Sequence, residues 1–281
     1  LQCFAVMAVT ATTARVAMPR RGRHDPVEAR ESKMARGHLI RAKKRSDGAP
    51  VDKRSVFGRH PLFGNLPPAD IDALVAYARV ERFRKAATIF HKGDSGGGMM
   101  AVLEGQVKIS VPSAEGKEAV LNIIRVGQVF GEIALLDGRP RTADAIAMTD
   151  CDLLVLDRRE FVPLLRANPD LALRIMELLC ARLRRTSEQV EDVMFLHLEG
   201  RLAKALLRLA DEQRDGDAAS LCVAITQREL GQMIGMSRES TNKQLQDWQR
   251  QGWVKLIKGG VEIVDHDALE DMTDAVHDGE G

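Results

Sequence analysis

The sequence predicts an α+β protein built as a small antiparallel β-barrel, one long helix, and a compact helical domain closed by a β-hairpin. Three changes of texture along the chain predict it. From about Val56 to Pro163, short β-branched and aliphatic runs alternate with Gly-, Asp- and Pro-containing turns. Between Met176 and Val193 the apolar residues recur in steps of three and four. Beyond Thr226, two short helical patterns are separated by a glycine and followed by two strand-like runs.

The first fifty residues differ from everything after them. They mix a short apolar start with scattered Arg and Lys, lack sustained periodicity, and end in Gly48-Ala49-Pro50. Residues 1–55 are read as a disordered basic arm. The chain opens on Leu1 with Met18 and Met34 downstream, which fits an over-extended gene start. A secretory signal is disfavoured because the basic residues follow the apolar run.

"PPADIDALVAYARV" predicts a helix with prolines at its entry, Asp70 and Asp72 in its first turn, and Ile71, Leu74, Val75 and Ala78 on one face. The runs "ATIFHKGD", "MMAVLEGQVKISV", "EAVLNIIRVGQVFGE" and "CDLLVLDRREF" then predict the strands of a barrel or jelly roll over residues 56–168. Such barrels hold one small ligand more often than they carry out chemistry.

Within the barrel, "FGEIALLDGRPRTADA" turns sharply at Gly131, presents the carboxylate of Glu132, and brings Arg141 and Thr142 back through a turn. An enzyme would want a nucleophile or a second carboxylate beside Glu132, and neither is present. His91 stands alone, whereas a metal site would need several His or carboxylates at close spacing. The segment is suited to holding a small anion.

The long helix, residues 169–197, places Met176, Leu179, Leu183, Thr186, Val190 and Val193 on the seam of a coiled coil, which predicts a dimerisation helix. Thr186 and its neighbour Ser187 are hydroxyls where Leu or Ile would pack better. Spacing alone favours Thr186 bonding back to its own helix.

In residues 198–272, Thr226 with Glu229 three positions on forms a capping-box pattern, and Leu230, Met233 and Ile234 supply that helix's apolar face. Gly235 ends it and Ser237 caps a second helix with Arg238 and Glu239 in its exposed first turn. This is a helix-turn-helix, and the strands from Trp253 to Lys258 and Val261 to Val264 make it a winged one. The second helix would enter a major groove of double-stranded DNA. There Arg238 and Lys243 can donate to guanine O6 and N7, and Glu239 can accept from cytosine N4. Thr226, Gln227, Ser237 and Thr241 are placed to touch phosphates. Trp248 and Trp253 are expected in the core. Residues 273–281 form a tail.

Composition sets outer limits on these readings. The 281 residues are 44% hydrophobic and 29% charged with net charge +1, so DNA contact must come from a local face. Apolar runs such as "AVLNII" stop far short of the roughly 18 residues a membrane span needs. Cys3, Cys151, Cys180 and Cys222 lie too far apart for a zinc or iron-sulfur motif, and a reducing cytoplasm is expected.

From about Val56 onward the chain resembles the CRP/FNR family of bacterial transcription regulators, in its cAMP receptor protein branch. "GEIALLDGRPRTA" resembles that family's phosphate-binding cassette, "RTSEQV" its dimer-helix segment, and "TQRELGQMIGMSRES" its helix-turn-helix. The resemblance implies a cAMP-responsive homodimer that is no enzyme, uses no metal, and binds a TGTGA-like palindrome. It implies that Glu132 accepts from the ribose, that the backbone at Gly131, Ile133 and Ala134 approaches the cyclic phosphate, and that Arg141 and Thr142 bind it. Arg182 is implied near the phosphate, with Thr186 and the partner subunit's Ser187 reaching the adenine. A guanidinium fork and a hydroxyl suit a buried phosphodiester. RNA polymerase is an implied partner, through the loop "RDGDAAS". Gly96, Gly97 and Gly98 depart from the family, whose members carry bulkier residues there, and set beside it they imply a loose barrel edge. The alternatives are cGMP as ligand, or an FNR-type regulator independent of cyclic nucleotide. The iron-sulfur sensors of that branch carry an N-terminal cysteine group, where this arm offers only Cys3.

Overall fold

The computed structural model describes residues 52–113, 115–213 and 221–274. Most of the expected basic arm, the loop "RDGDAAS" and the end of the tail lie outside these residues.

Helix α1 (Lys53–Arg59) begins inside the segment read as the arm. Asp52 caps it by accepting from the Ser55 amide at 3.3 Å. Phe57 is fully buried and meets Phe63 edge-on at 5.3 Å. That aromatic anchor, invisible to periodicity over so short a run, holds the helix. Helix α2 (Pro68–Tyr77) follows the expected pattern, with Pro68 in its first turn and Leu74 and Ala78 buried.

The barrel is two four-stranded antiparallel sheets. Strands β1 (Arg79–Phe83), β3 (Gly98–Glu104), β6 (Val129–Phe130) and β8 (Cys151–Asp157) make one, in the order β1-β8-β3-β6. Strands β2 (Thr88–Phe90), β4 (Val107–Pro112), β5 (Glu118–Ile124) and β7 (Asp144–Ala147) make the other, in the order β2-β7-β4-β5. Strand β8 explains why its sequence reads as one apolar run. Cys151 and Leu153 face the inter-sheet core with Phe83, Val107 and Phe130, while Leu154 and Leu156 face a second core built with α1 and α2.

Gly96 and Gly98 sit in tight packing rather than at a loose edge, and only Gly97 of the three faces open space. A Cβ at Gly96 would lie 2.1 Å from the Ala134 Cβ, and one at Gly98 would lie 2.6 Å from the Leu156 carbonyl oxygen. These positions let the cassette and strand β8 approach closely, so small residues here tighten the packing.

The short helix α3 (Glu132–Asp137) starts from Gly131, whose φ of 79° is left-handed. Helix α4 (Arg158–Ala167) leads into α5 (Pro169–Phe195), which buries Leu171 and Ile175 against the helical side of the barrel. Further along, Met176, Leu183, Val190 and Val193 of the expected seam are exposed, while Leu179 packs partly against its own chain.

Helix α6 (Leu198–Glu212) opens the C-terminal domain, followed by β9 (Leu221–Val223), α7 (Gln227–Ile234), α8 (Arg238–Gln251), β10 (Val254–Ile257), β11 (Gly260–Ile263) and α9 (His266–Asp274). The wing hairpin turns at Gly259, whose φ is 84°, and gains a third strand, β9, that the sequence reading lacked. Gly260 makes room for it, since a Cβ there would lie 2.4 Å from the Val223 carbonyl oxygen. Trp248 is buried and Trp253 half-buried, 6.1 Å apart. Val120 and Ile123 of β5 also join this domain's core, so the barrel and the C-terminal domain are packed together.

Candidate functional site

A cavity of about 250 Å³ lies between the barrel and α5. Its apolar wall comes from the inter-sheet strands, including Ile109, Ile124 and Phe130. Its polar wall comes from Gly131–Ala134, Arg141 and Thr142 of the cassette, and from Arg182, Arg185, Thr186 and Gln189 of α5. The cassette and the hydroxyl-bearing seam segment, expected separately, thus share one space.

Glu132 is 1% exposed. One of its oxygens pairs with the Arg182 guanidinium, which also donates to the Val129 carbonyl. The other oxygen, Oε2, is buried without a partner. A buried carboxylate oxygen left this way is costly, and a hydroxyl donor in the cavity relieves it.

Arg141 is buried over the Phe90 ring, 4.2 Å from its centroid. Its guanidinium donates to the carbonyls of Gly131 at 2.8 Å and Gly98 at 2.7 Å, while its Nε is unpartnered. Burial lowers its pKa, against the raising influence of Glu132 and Asp94. Arg141 is therefore a clamp on the cassette backbone as well as a cation at the cavity wall. The left-handed turn at Gly131 lets it approach, since a Cβ there would lie 2.5 Å from the guanidinium. Thr142 and Ile133 are exposed at the rim and Ala134 is buried.

Thr186 lines the cavity while its Oγ1 donates to the Arg182 carbonyl at 3.0 Å. The back-bond expected from spacing is therefore present. Ser187 donates to the Leu183 carbonyl at 3.1 Å and is not among the residues lining this cavity. Arg185 and Gln189 were missed by the sequence reading. Their spacing of three and seven from Arg182 puts them on its face of the helix, a signal that was available.

This donor set fits a cyclic nucleotide. It combines guanidinium groups for a phosphodiester, an acceptor-only carboxylate oxygen for a ribose hydroxyl, and an apolar wall for a base.

In the C-terminal domain, Thr226 and Glu229 form the expected capping box, and Ser237 caps α8 by accepting from the Ser240 amide at 3.0 Å. Arg238, Glu239 and Lys243 are exposed on one side of α8. Thr226 and Ser237 are exposed and Gln227 is half-buried, all at helix N-termini. Thr241 departs from expectation. It is fully buried, and its hydroxyl donates to the Ser237 carbonyl at 2.9 Å. A Cβ on Gly231 would meet that hydroxyl at 2.7 Å, so Thr241 belongs to the tight crossing of α7 and α8 rather than to the DNA face.

Residues 80–168 match the cyclic nucleotide-binding domain family, and residues 200–272 match the Crp-like helix-turn-helix domain family. The chain is 32% identical over 216 residues to the CRP-like cAMP-activated global transcriptional regulator of Mycobacterium tuberculosis, covering 76% of this chain and 96% of that protein. The chain belongs to the CRP/FNR family. The cyclic AMP receptor protein of Thermus thermophilus is also 32% identical, over 75% of this chain and 96% of that protein. The c-di-GMP responsive global regulator CLP of Xanthomonas campestris shares the fold at a TM-score of 0.62 and 22% identity, over 70% of this chain and 99% of that one. As a CRP-family member the chain is a cyclic nucleotide-responsive transcription regulator with a DNA-binding helix-turn-helix. Among the described residues no helix is long and apolar enough to cross a membrane.

Proposed function

We propose that the ligand is cAMP, that the working form is a homodimer paired along α5, and that α8 reads a TGTGA-like palindrome. The observation that carries this reading is that Glu132 of the cassette and Arg182 and Thr186 of α5 open into one cavity. A nucleotide there touches the barrel and the dimer helix at once. Ligand binding then biases a two-state dimer toward a form whose recognition helices lie about 34 Å apart, one turn of B-DNA.

Pairing along α5 is supported by Met176, Leu183, Val190 and Val193, which are 51%, 69%, 53% and 61% exposed at seam spacing. A second chain would cover them and bring its own Ser187 to the cavity. Two relatives carry cAMP in their names, which supports the choice of ligand. Arg185 favours a second reading, cGMP, because its fork matches the adjacent O6 and N7 acceptors of guanine. The expected cytoplasmic location rests on the cysteine usage and the family, and the contact with RNA polymerase through residues 214–220 rests on the family resemblance.

The test is binding of the purified chain to a labelled TGTGA/TCACA palindrome at one fixed salt concentration, alone and with cAMP, cGMP or c-di-GMP. Enhancement by cAMP alone supports the reading. Enhancement by another nucleotide moves the ligand assignment, and equal binding in all four conditions refutes ligand control.

A further inference from the structure

Arg185 has two faces. On one it lines the ligand cavity beside Thr186, and it also borders a second space of about 530 Å³ between His60–Leu62, Gly127–Val129 and α5. On the other its NH1 pairs at 3.2 Å with Oε1 of Glu212, in the last turn of α6. The pair therefore runs from the ligand cavity directly into the first helix of the DNA-binding domain.

The surroundings make this pair exchangeable. Arg208 lies 3.9 Å from the same Glu212 oxygen. Arg125, in the turn after β5, is desolvated by burial, which lowers its pKa, and it feels Glu212 as an attraction and Arg185 as a repulsion. Three guanidinium groups thus surround one carboxylate. Nε and NH2 of Arg125, the same two atoms of Arg185, and Nε of Arg208 are buried without partners. Each guanidinium has five donors and no acceptor, so Glu212 cannot satisfy all three. An acceptor brought to Arg185 from the cavity can therefore draw it away while Glu212 stays compensated by Arg208 and Arg125.

Helix α6 is tied back along α5 by Arg185–Glu212 and by a second pair, Lys204–Asp192. The helices meet at the extended residues Leu196 and His197. Any movement of α6 about that bend carries α7 and α8, because α6 shares their core through Leu202, Leu206 and Leu209.

We propose that Arg185 is shared between two partners: Glu212 in the arrangement described here, and the acceptor edge of the purine base when a cyclic nucleotide fills the cavity, so that ligand binding loosens α6 from α5. This rests on the nucleotide reading above and adds the residue that transmits it. The N7 acceptor common to adenine and guanine supplies the competing bond. Because coupling between two sites is reciprocal, weakening the Glu212 contact raises both ligand affinity and ligand-free DNA binding.

Two variants of the full chain test it, with cAMP and cGMP affinity measured calorimetrically without DNA, and palindrome binding measured without ligand. Glu212→Gln frees Arg185 and is expected to raise both quantities, each by about fivefold to tenfold, at the low end of the usual range of allosteric coupling. Arg185→Gln also frees α6, so ligand-free DNA binding rises, but nucleotide affinity falls roughly tenfold. Opposite signs on ligand affinity with the same sign on DNA binding cannot come from general destabilisation. A wild-type chain that binds neither nucleotide overturns the nucleotide reading and this one with it. A wild-type chain that binds, with Glu212→Gln unchanged in affinity or Arg185→Gln undiminished, overturns the sharing of Arg185 alone.

Discussion

The carboxylate of Glu132 pairs through one oxygen with the guanidinium of Arg182, 50 residues further along the chain, while its other oxygen is buried with no hydrogen-bond partner. The pair fastens the cassette to α5, and the free oxygen faces the need for a hydroxyl. Glu132→Gln keeps the shape but weakens both interactions. Nucleotide affinity is expected to fall about tenfold to a hundredfold, the loss of one charged hydrogen bond. Titration calorimetry on the variant checks it, and wild-type affinity would remove Glu132 from the site.

Arg141 is bound to two backbone carbonyls, so its replacement acts on the fold as well as on the ligand. Arg141→Leu is expected to abolish nucleotide-dependent DNA binding and to lower stability by about 2 kcal/mol, since two buried carbonyls lose charged donors. Arg141→Lys keeps the charge but not the fork. It should restore part of the stability and little of the nucleotide affinity. Denaturant unfolding read beside nucleotide binding separates the two effects.

Arg238 and Thr241 sit one helical turn apart with different fates. Arg238→Ala should cost about 1–3 kcal/mol of binding to the palindrome and relax preference at one base position. Thr241→Val should leave base preference unchanged and destabilise the DNA-binding domain by about 1 kcal/mol, through the lost bond to Ser237. A selection of binding sites with each variant decides whether the burial of Thr241 has been read correctly.

The seam of α5 gives two linked measurements. Leu183, 69% exposed in one chain, should be covered in the dimer, so Leu183→Asp is expected to yield monomers by sedimentation. The monomer should retain the barrel but lose tight binding to a two-half-site palindrome. A dimer of unchanged affinity would place the interface elsewhere.

His60 predicts a pH dependence. Burial lowers its pKa from 6.5 to about 4, and its Nδ1 accepts from the Leu62 amide. Between those values the unfolded chain holds a proton that the folded chain refuses. Stability from this residue is therefore full above pH 6.5 and lost as the pH falls toward 4, by up to about 3 kcal/mol. Thermal melts at pH 7 and pH 4.5 should show this loss, and His60→Leu should make it smaller. An equal loss in the variant would assign acid sensitivity to other groups.

Elements with a strong local signal could be read directly from the chain. The capping box at Thr226 and Glu229, the turn glycines Gly131 and Gly235, and the three-and-four spacing of α5 are short-range patterns with few alternative readings, and each appears where expected. The turn and polar side chains from Gly131 to Thr142 were legible for the same reason, because they lie in one continuous segment. Tertiary structure alone decided which side chains meet. It buried Thr241 at the crossing of two helices, anchored α1 through Phe57, added β9 to the wing, and set Arg185 between the cavity and Glu212. Periodicity reports that a face exists, but the partner of that face is chosen by packing between segments far apart in the chain, where close approach and charge compensation are set by three-dimensional position.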